Sequence, residues 1–326
     1  MAKARAILKR RKAVRNIKKI TKTMQMIATA KFQKSLKRVL STKPYTLKIG
    51  ELVNEIASSV DSSQITHPLL RDISQVNPGK EAIVVITSNR GLCGAYNGHV
   101  IRKAMEYIRT LDARPIELHC AGKKGAGVFK FAGRKIESMI NVSDVPQYAE
   151  VEPHAQSLMS RFIKGEIDGV TLVYMNFIST GVQKASVVPL LPLSNLRQSI
   201  DQVAQDMAEK EAQIKAGTMD SKRRGDDVVR PVATQAVVSS KSDYEFSPSA
   251  ADLLNELLPL TVKTAFFQAF LDASTSEHVA RMIAMKSASD NADKMAKSLS
   301  LQYNRARQGQ ITTELSEIMG GVEAMK

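Results

Sequence analysis

Apolar residues near the N-terminus recur as Ile17, Ile20, Met24 and Ile27, a 3-4-3 spacing, and resume after a skip as Phe32, Leu36 and Val39. That spacing predicts one amphipathic helix over residues 3–42 with its coiled-coil-like seam along this row. At about 1.5 Å per residue it would be roughly 60 Å long. Pro44 is expected to kink or end it, although GELVNEIASSV (50–60) could carry it on.

From residue 80 the texture changes to short β-branched runs separated by helical stretches. AIVVIT (82–87), IELHCAG (116–122) and VTLVYMNF (170–177) read as buried strands. KASVVPLL (184–191) reads as a strand nearer an edge, because Pro189 cannot donate to a ladder. Residues 97–111, 122–132 and 153–165 have helical length and spacing, and strands alternating with helices predict a small, mostly parallel α/β sheet. Residues 196–248 lose the pattern and read as a polar surface insertion or mobile loop rather than a domain, interrupted by Gly225 and Pro231.

After Pro248 the chain reads as helix to about residue 320. Alanines 280, 284, 288, 292 and 296 form a small-residue row, extended by Leu299 and Tyr303, along which a second helix can approach closely. Each four-residue step turns that row by about 40°, so it winds around the helix. Two terminal helices can pair antiparallel only if the α/β module sits at one end of the pair.

Charge sharpens this picture. The 326 residues carry a net +15, but residues 1–50 hold sixteen Lys and Arg and no acid, leaving −1 for the rest. Such a block predicts an acidic partner surface: nucleic acid, anionic lipid or a carboxylate-lined protein collar. Only Phe32 and Tyr45 are interleaved with it, and the chain has no Trp, which argues against single-strand binding. A basic nucleic-acid-binding α/β protein is the alternative to weigh. The longest apolar stretch, 253–271, is interrupted by Glu256, Pro259 and Lys263, so no membrane span is expected. Cys93 and Cys120 sit in apolar surroundings and read as buried thiols in a reducing compartment.

Candidate chemistry is sparse. GKKGAGVFK (122–130) follows a strand but places Lys130 where a dinucleotide fingerprint needs a small residue, and it lacks the other phosphate-loop spacing. TSNRGLCGAYNG (87–98) stands where α/β proteins hold ligands, yet only Cys93 and the lone His99 accompany it, so a tight turn is the better reading. EHVARMIAMKSASDNADKM (277–295) resembles a metal site at first sight. Its adjacent Glu277 and His278 point about 100° apart on a helix and cannot clamp one ion. The acids of the segment, with Asp290 and Asp293 as i, i+3 neighbours, read as a solvated face, and Met282, Met285 and Met295 as adaptable packing. No metal or cofactor is expected.

IKKITKTMQMIATAKFQKS (17–35), TSNRGLCGAYN (87–97), SEHVARMIAMKSASDNA (276–292) and YNRARQGQITTELSEIMGG (303–321) together resemble the gamma subunit of the F-type ATP synthase, in order and over nearly the whole chain. The resemblance implies an α/β fold class: a long antiparallel coiled coil of the terminal helices plus a small Rossmann-like α/β domain. The implied division is 1–60, 75–195, 196–248 and 249–326, with Pro44 and Pro259 inside long helices. It also implies a non-catalytic rotor, with alpha and beta subunits, an epsilon subunit and a membrane c ring as partners. Contacts with the beta subunit would fall on Lys22, Met24, Arg307, Gln308, Thr312 and Glu314. The expected location is the cytoplasmic side of a bacterial inner membrane, peripheral and held through the complex; the helix starting near Met1 favours bacteria over organelles. The 196–248 stretch has no cysteine, so the dithiol switch of photosynthetic relatives is excluded.

Overall fold

The computed structural model describes residues 2–59, 67–70, 79–111, 114–193 and 250–325; the 196–248 insertion expected from the sequence lies outside them. Two long helices flank an α/β unit. Helix α1 spans Ala2–Ser59, 58 residues, and the last helix, α5, spans Ala250–Ala324, 75 residues. At about 1.5 Å per residue they are roughly 87 and 112 Å long.

Pro44 does not stop α1, and Pro259 lies inside α5. Each proline leaves the carbonyl four residues earlier without its helical donor. Those carbonyls belong to Leu40 and Asn255, both exposed, where water can take the donor's place. The stop expected at Pro44 from local chemistry is thereby corrected.

Between the helices run β1 (Glu81–Ile86), α2 (Tyr96–Thr110), β2 (Ile116–Ala121), α3 (Lys123–Phe131), β3 (Ser138–Ile140), α4 (Tyr148–Ile163), β4 (Gly169–Phe177) and β5 (Gln183–Leu191). The sheet order is β3-β2-β1-β4-β5. All neighbours are parallel except β4 and β5, which pair antiparallel. The four strands expected from sequence are present, and β5 takes the edge that Pro189 demanded. The three-residue β3 was not anticipated. Helix α4 begins five residues before the expected start, at a capping box in which Gln147 and Glu150 bond reciprocally.

Strand side chains alternate between two cores, as a sheet covered on both faces requires. Ile83, Val85, Leu118 and Cys120 face α2 and α3, where Val100, Ala104 and Phe129 are fully buried. Ala82, Val84, Val170 and Leu172 face the other way, onto α4 and onto Leu258, Val262 and Phe266 of α5. Val39, Ile49, Val53 and Ile56 of α1 close this second core. The module therefore grips the C-terminal half of α1 and the N-terminal half of α5. Beyond it the two helices continue as an antiparallel pair.

Candidate functional site

Phe32 sets the phase of the helix pair. Its ring lies 6.1 Å from that of Phe177 and clusters with buried Val279 of α5. Counting back from Phe32 in alternating four- and three-residue steps gives Ala28, Gln25, Thr21, Lys18 and Val14, each of them buried or half-buried. On α5 the corresponding line is Met285, Ser289, Ala292, Ala296, Leu299 and Tyr303. Two heptad seams thus face each other, filled mainly by small and polar side chains. Val14 packs against Ala292, Ala296 and Leu299, Lys18 Nζ reaches Asp293 Oδ1 at 2.5 Å, and the Arg11 guanidinium lies 4.9 Å above the Tyr303 ring.

This corrects the expected seam. Ile17, Ile20 and Ile27 are 51%, 60% and 53% exposed, on the outer face of the pair. Small residues let the helices approach closely, and the isoleucines, off the 3.5-residue phase set by Phe32, are turned outward. The alanine row behaves as its winding predicts. Ala280 packs with the α2–α3 core, Ala284 approaches Gly94 of the loop after β1, and Ala292 and Ala296 have rotated onto α1.

The six residues expected to meet a partner fall at two levels. Lys22 is exposed, its Nζ donating to Gln25 Oε1 at 3.4 Å, and Met24, two residues on and turned to nearly the opposite side of the helix, is half-buried. Arg307, Gln308, Thr312 and Glu314 are exposed on α5, with Thr312 Oγ1 donating to the Gln308 carbonyl at 3.0 Å and Gln310 donating to Glu314 at 3.0 Å. With Lys18 opposite Asp293, Lys22 lies near the level of Ser289, so Arg307 is about 27 Å farther along the shaft at 1.5 Å per residue. The members of each set share a level of the shaft, and the two levels lie apart. The end of α5 runs past the start of α1 and exposes Ile311, Leu315, Ile318 and Met319.

A polar junction ties the module to both helices. The Asp144 carboxylate, in the loop between β3 and α4, pairs with Lys31 of α1. The Asp144 carbonyl accepts from Ser274 Oγ at 2.8 Å and His278 Nε2 at 3.0 Å, both on α5. Lys31 holds the Asp144 carboxyl below the usual carboxylate range. Burial pushes His278 down to about 4, so it is a neutral imidazole at pH 7. One helical turn along, Arg281 donates to the Arg90 carbonyl at 3.2 Å and the Gly91 carbonyl at 3.4 Å, and to Glu277 at 2.7 Å.

Glu277 is not on the solvated face expected for the acids of this segment. Its side chain is 16% exposed, it pairs with Arg281, and burial raises its carboxyl. Asp290 is exposed as expected, while Asp293 is half-buried in its pair with Lys18. Met285 is buried in the seam and Met295 exposed. Sequence reasoning missed Lys31, Arg90 and Asp144, because an acid in a loop gives no signal until its partners are placed.

The glycine-rich loops are occupied by the protein itself. The first amides of α3 are already bonded: Lys123 N to Asn89 Oδ1 at 3.3 Å, Lys124 N to the Ser88 carbonyl at 3.1 Å and Gly125 N to Thr87 Oγ1 at 3.0 Å. A helix N-terminus whose donors are satisfied in this way has little left for an anion. In the loop after β1, Ser88 N donates to Asn97 Oδ1 at 3.0 Å, and Asn97 Nδ2 to Cys93 Sγ at 3.2 Å. At the tip, Leu92 is held at φ 65°, a rare conformation for a branched residue, and is 59% exposed. Among the described residues no three His, Cys, Asp or Glu side chains converge as a metal site would need. No helix among them is long and apolar enough to cross a membrane.

A family model described as ATP synthase matches residues 3–325. The chain is 39% identical over 329 residues to the ATP synthase gamma chain of Rhodopirellula baltica, covering 100% of both. It is 34% identical to the ATP synthase gamma chain of Saccharopolyspora erythraea, covering 100% of this chain and 98% of that one. Among solved structures it resembles a chain of the Euglena gracilis mitochondrial ATP synthase OSCP/F1/c-ring assembly, with TM-score 0.61, 17% identity and coverage of 99% of this chain and 95% of that chain. A chain of the Tetrahymena thermophila mitochondrial ATP synthase central stalk and c ring gives TM-score 0.53 at 18% identity, covering 83% of this chain and 99% of that chain. At such identities the likeness speaks for the fold.

Proposed function

As the chain belongs to the ATP synthase gamma-chain family over its whole length, it is a non-catalytic stalk subunit of that complex, and we propose that its helix pair is the rotating shaft. In this reading the α/β module is the foot, carried by the membrane c ring together with an epsilon subunit. The protruding helices turn inside a collar of alpha and beta subunits, where the nucleotide chemistry takes place. The complex is held at the membrane, and this chain lies peripherally on the cytoplasmic side of a bacterial inner membrane.

The observation that carries this reading is the outward row of Ile17, Ile20 and Ile27 on a helix that also bears most of the N-terminal basic block. The row contributes nothing to the intramolecular seam and gives the shaft an apolar stripe amid positive charge. Exposed apolar rows rimmed by charge mark protein contacts. Diffuse charge holds a rotating part without fixing its angle, whereas an orientation preferred by 3 kcal/mol would slow escape about 150-fold. The beta-subunit contacts are assigned at two levels: Lys22 and Met24 on α1, and Arg307, Gln308, Thr312 and Glu314 on α5. The chain divides into helix 1–60, foot 75–195, insertion 196–248 and helix 249–326.

Tagged full-length chain co-expressed with its alpha and beta subunits should co-purify with both, and the complex returned to its membranes should pump protons on addition of ATP. Retention of the chain on DNA with a steep salt dependence, and no recovery of alpha or beta, would instead favour the nucleic-acid reading.

A further inference from the structure

Asp144 bonds to both shaft helices at once: through its carboxylate to Lys31 of α1, and through its carbonyl to Ser274 and His278 of α5. Two residues on, the Pro146 carbonyl accepts from Arg38 of α1 at 2.9 Å. These bonds lie where the helix pair leaves the module, level with the Phe32–Phe177–Val279 cluster. Beyond this point small and polar residues fill the seam, and between Val14 and Ala28 its α1 side is occupied by Lys18, Thr21 and Gln25.

We propose that Asp144 is a positioning residue for energy coupling, the joint through which the module turns α1 and α5 together. The proposal rests on the rotor reading above. Torque applied to the foot reaches α5 through several further bonds, including Tyr96 Oη to the Ala273 carbonyl at 3.1 Å and Ser276 Oγ to the Met175 carbonyl at 3.2 Å. Below the exit the packing of Val39, Ile49, Val53 and Ile56 also holds α1 to the module; above it, torque that reached α1 through the seam alone would act as shear on small side chains that interlock weakly. Clamping α1 and α5 to one loop residue at the exit removes that shear. A carboxylate suits the task because its pairing with Lys31 tolerates small angular excursions, while the two carbonyl bonds fix the loop on α5. The loop is also short of alternatives: Ser143 Oγ, its neighbour, is engaged by Glu150 Oε2 at 2.8 Å.

The test uses the complete membrane complex in inverted vesicles, measuring ATP hydrolysis and ATP-driven acidification together. Asp144→Asn and Lys31→Met should keep hydrolysis near that of the unmodified complex and lower protons pumped per ATP roughly two-fold or more as the opposing gradient builds. The exchanged pair, Lys31→Asp with Asp144→Lys, should recover much of the loss. Lys31→Arg, which keeps a cation within reach of the carboxylate, should keep coupling close to that of the unmodified complex, which separates loss of the joint from damage to the fold. Asp144→Asn and Lys31→Met variants that pump like the unmodified complex would overturn the proposal, as would a Lys31→Arg variant that pumps no better than Lys31→Met. An unmodified complex that hydrolyses ATP without pumping would instead overturn the rotor reading.

Discussion

Lys18 of α1 and Asp293 of α5, 275 positions apart in sequence, meet at 2.5 Å across the seam of the helix pair. Lys297, one turn along α5, approaches the same carboxylate at 3.3 Å. Both partners of the first pair are partly exposed, 44% and 37%, so salt should screen their attraction. Lys18→Met is expected to lower the thermal midpoint slightly in dilute buffer and not at all in about 1 M salt, where the Debye length is roughly 3 Å. Thermal melts of both chains across a salt series check this, and a loss that persists undiminished at high salt would mean that the pair with Asp293 is not what Lys18 contributes.

The seam makes a sharper prediction about apolar residues. Phe32 is 9% exposed and Ile20 60%. Phe32→Ala should cost about 3–5 kcal/mol through lost burial and the cavity it leaves. Ile20→Ser should stay within about 0.5 kcal/mol in the isolated chain, yet weaken recovery of alpha and beta subunits. Denaturant midpoints read the first pair of effects and co-purification reads the last. Equal destabilisation by the two would return the isoleucine row to the seam.

The α/β unit was legible because buried parallel strands leave unbroken apolar runs, and Pro189 marked the edge strand from its chemistry alone. The helix phase was not legible. Isoleucines at 17, 20 and 27 give a stronger apolar signal than the Lys18, Thr21 and Gln25 of the true seam, and only the placement of Phe32 against Phe177 and Val279 decides between them. The opening of the 277–295 segment was likewise misjudged, since Glu277 becomes a buried partner only when the Arg90 loop is folded onto Arg281. The two segments that stood out in sequence, 87–98 and 277–295, prove to be opposite sides of one contact.

Gly122, the residue before α3, has φ 93°, and a Cβ there would lie 2.2 Å from the Thr87 carbonyl oxygen. Backbone strain and collision with a main-chain atom act together, and neither can be relieved by turning a side chain. Gly122→Ala should therefore cost more than the roughly 1 kcal/mol typical of a point change. Gly127→Ala, in the same glycine-rich stretch with open space around it, should be neutral or slightly stabilising, because alanine favours helix over glycine by about 1 kcal/mol. Melting of the two variants side by side separates this strand-to-helix turn from a flexible anion-binding loop, in which both would be tolerated.

His278 supplies a pH dependence whose sign follows from burial. In the unfolded chain it takes up a proton near 6.5, while in the fold burial holds it neutral down to about 4. The unfolded state thus binds more protons in that interval, and acidification favours unfolding. The contribution is fully present above pH 6.5, is lost between 6.5 and 4, and amounts to about 3 kcal/mol at 1.36 kcal/mol per unit. The neighbouring groups act in other windows or with other signs. Asp144, held low by Lys31, loses its contribution only as pH falls through the bottom of the carboxylate range. Glu277, raised by burial, binds its proton more readily when folded and offsets part of the loss. His278→Gln keeps an N–H for the Asp144 carbonyl and removes the titrating ring. The variant should therefore lose much less stability than the unmodified chain between pH 6.5 and 4.5, measured by denaturant midpoints. Parallel curves for the two would assign the acid sensitivity to other groups and leave His278 as a spacer between the shaft and Asp144.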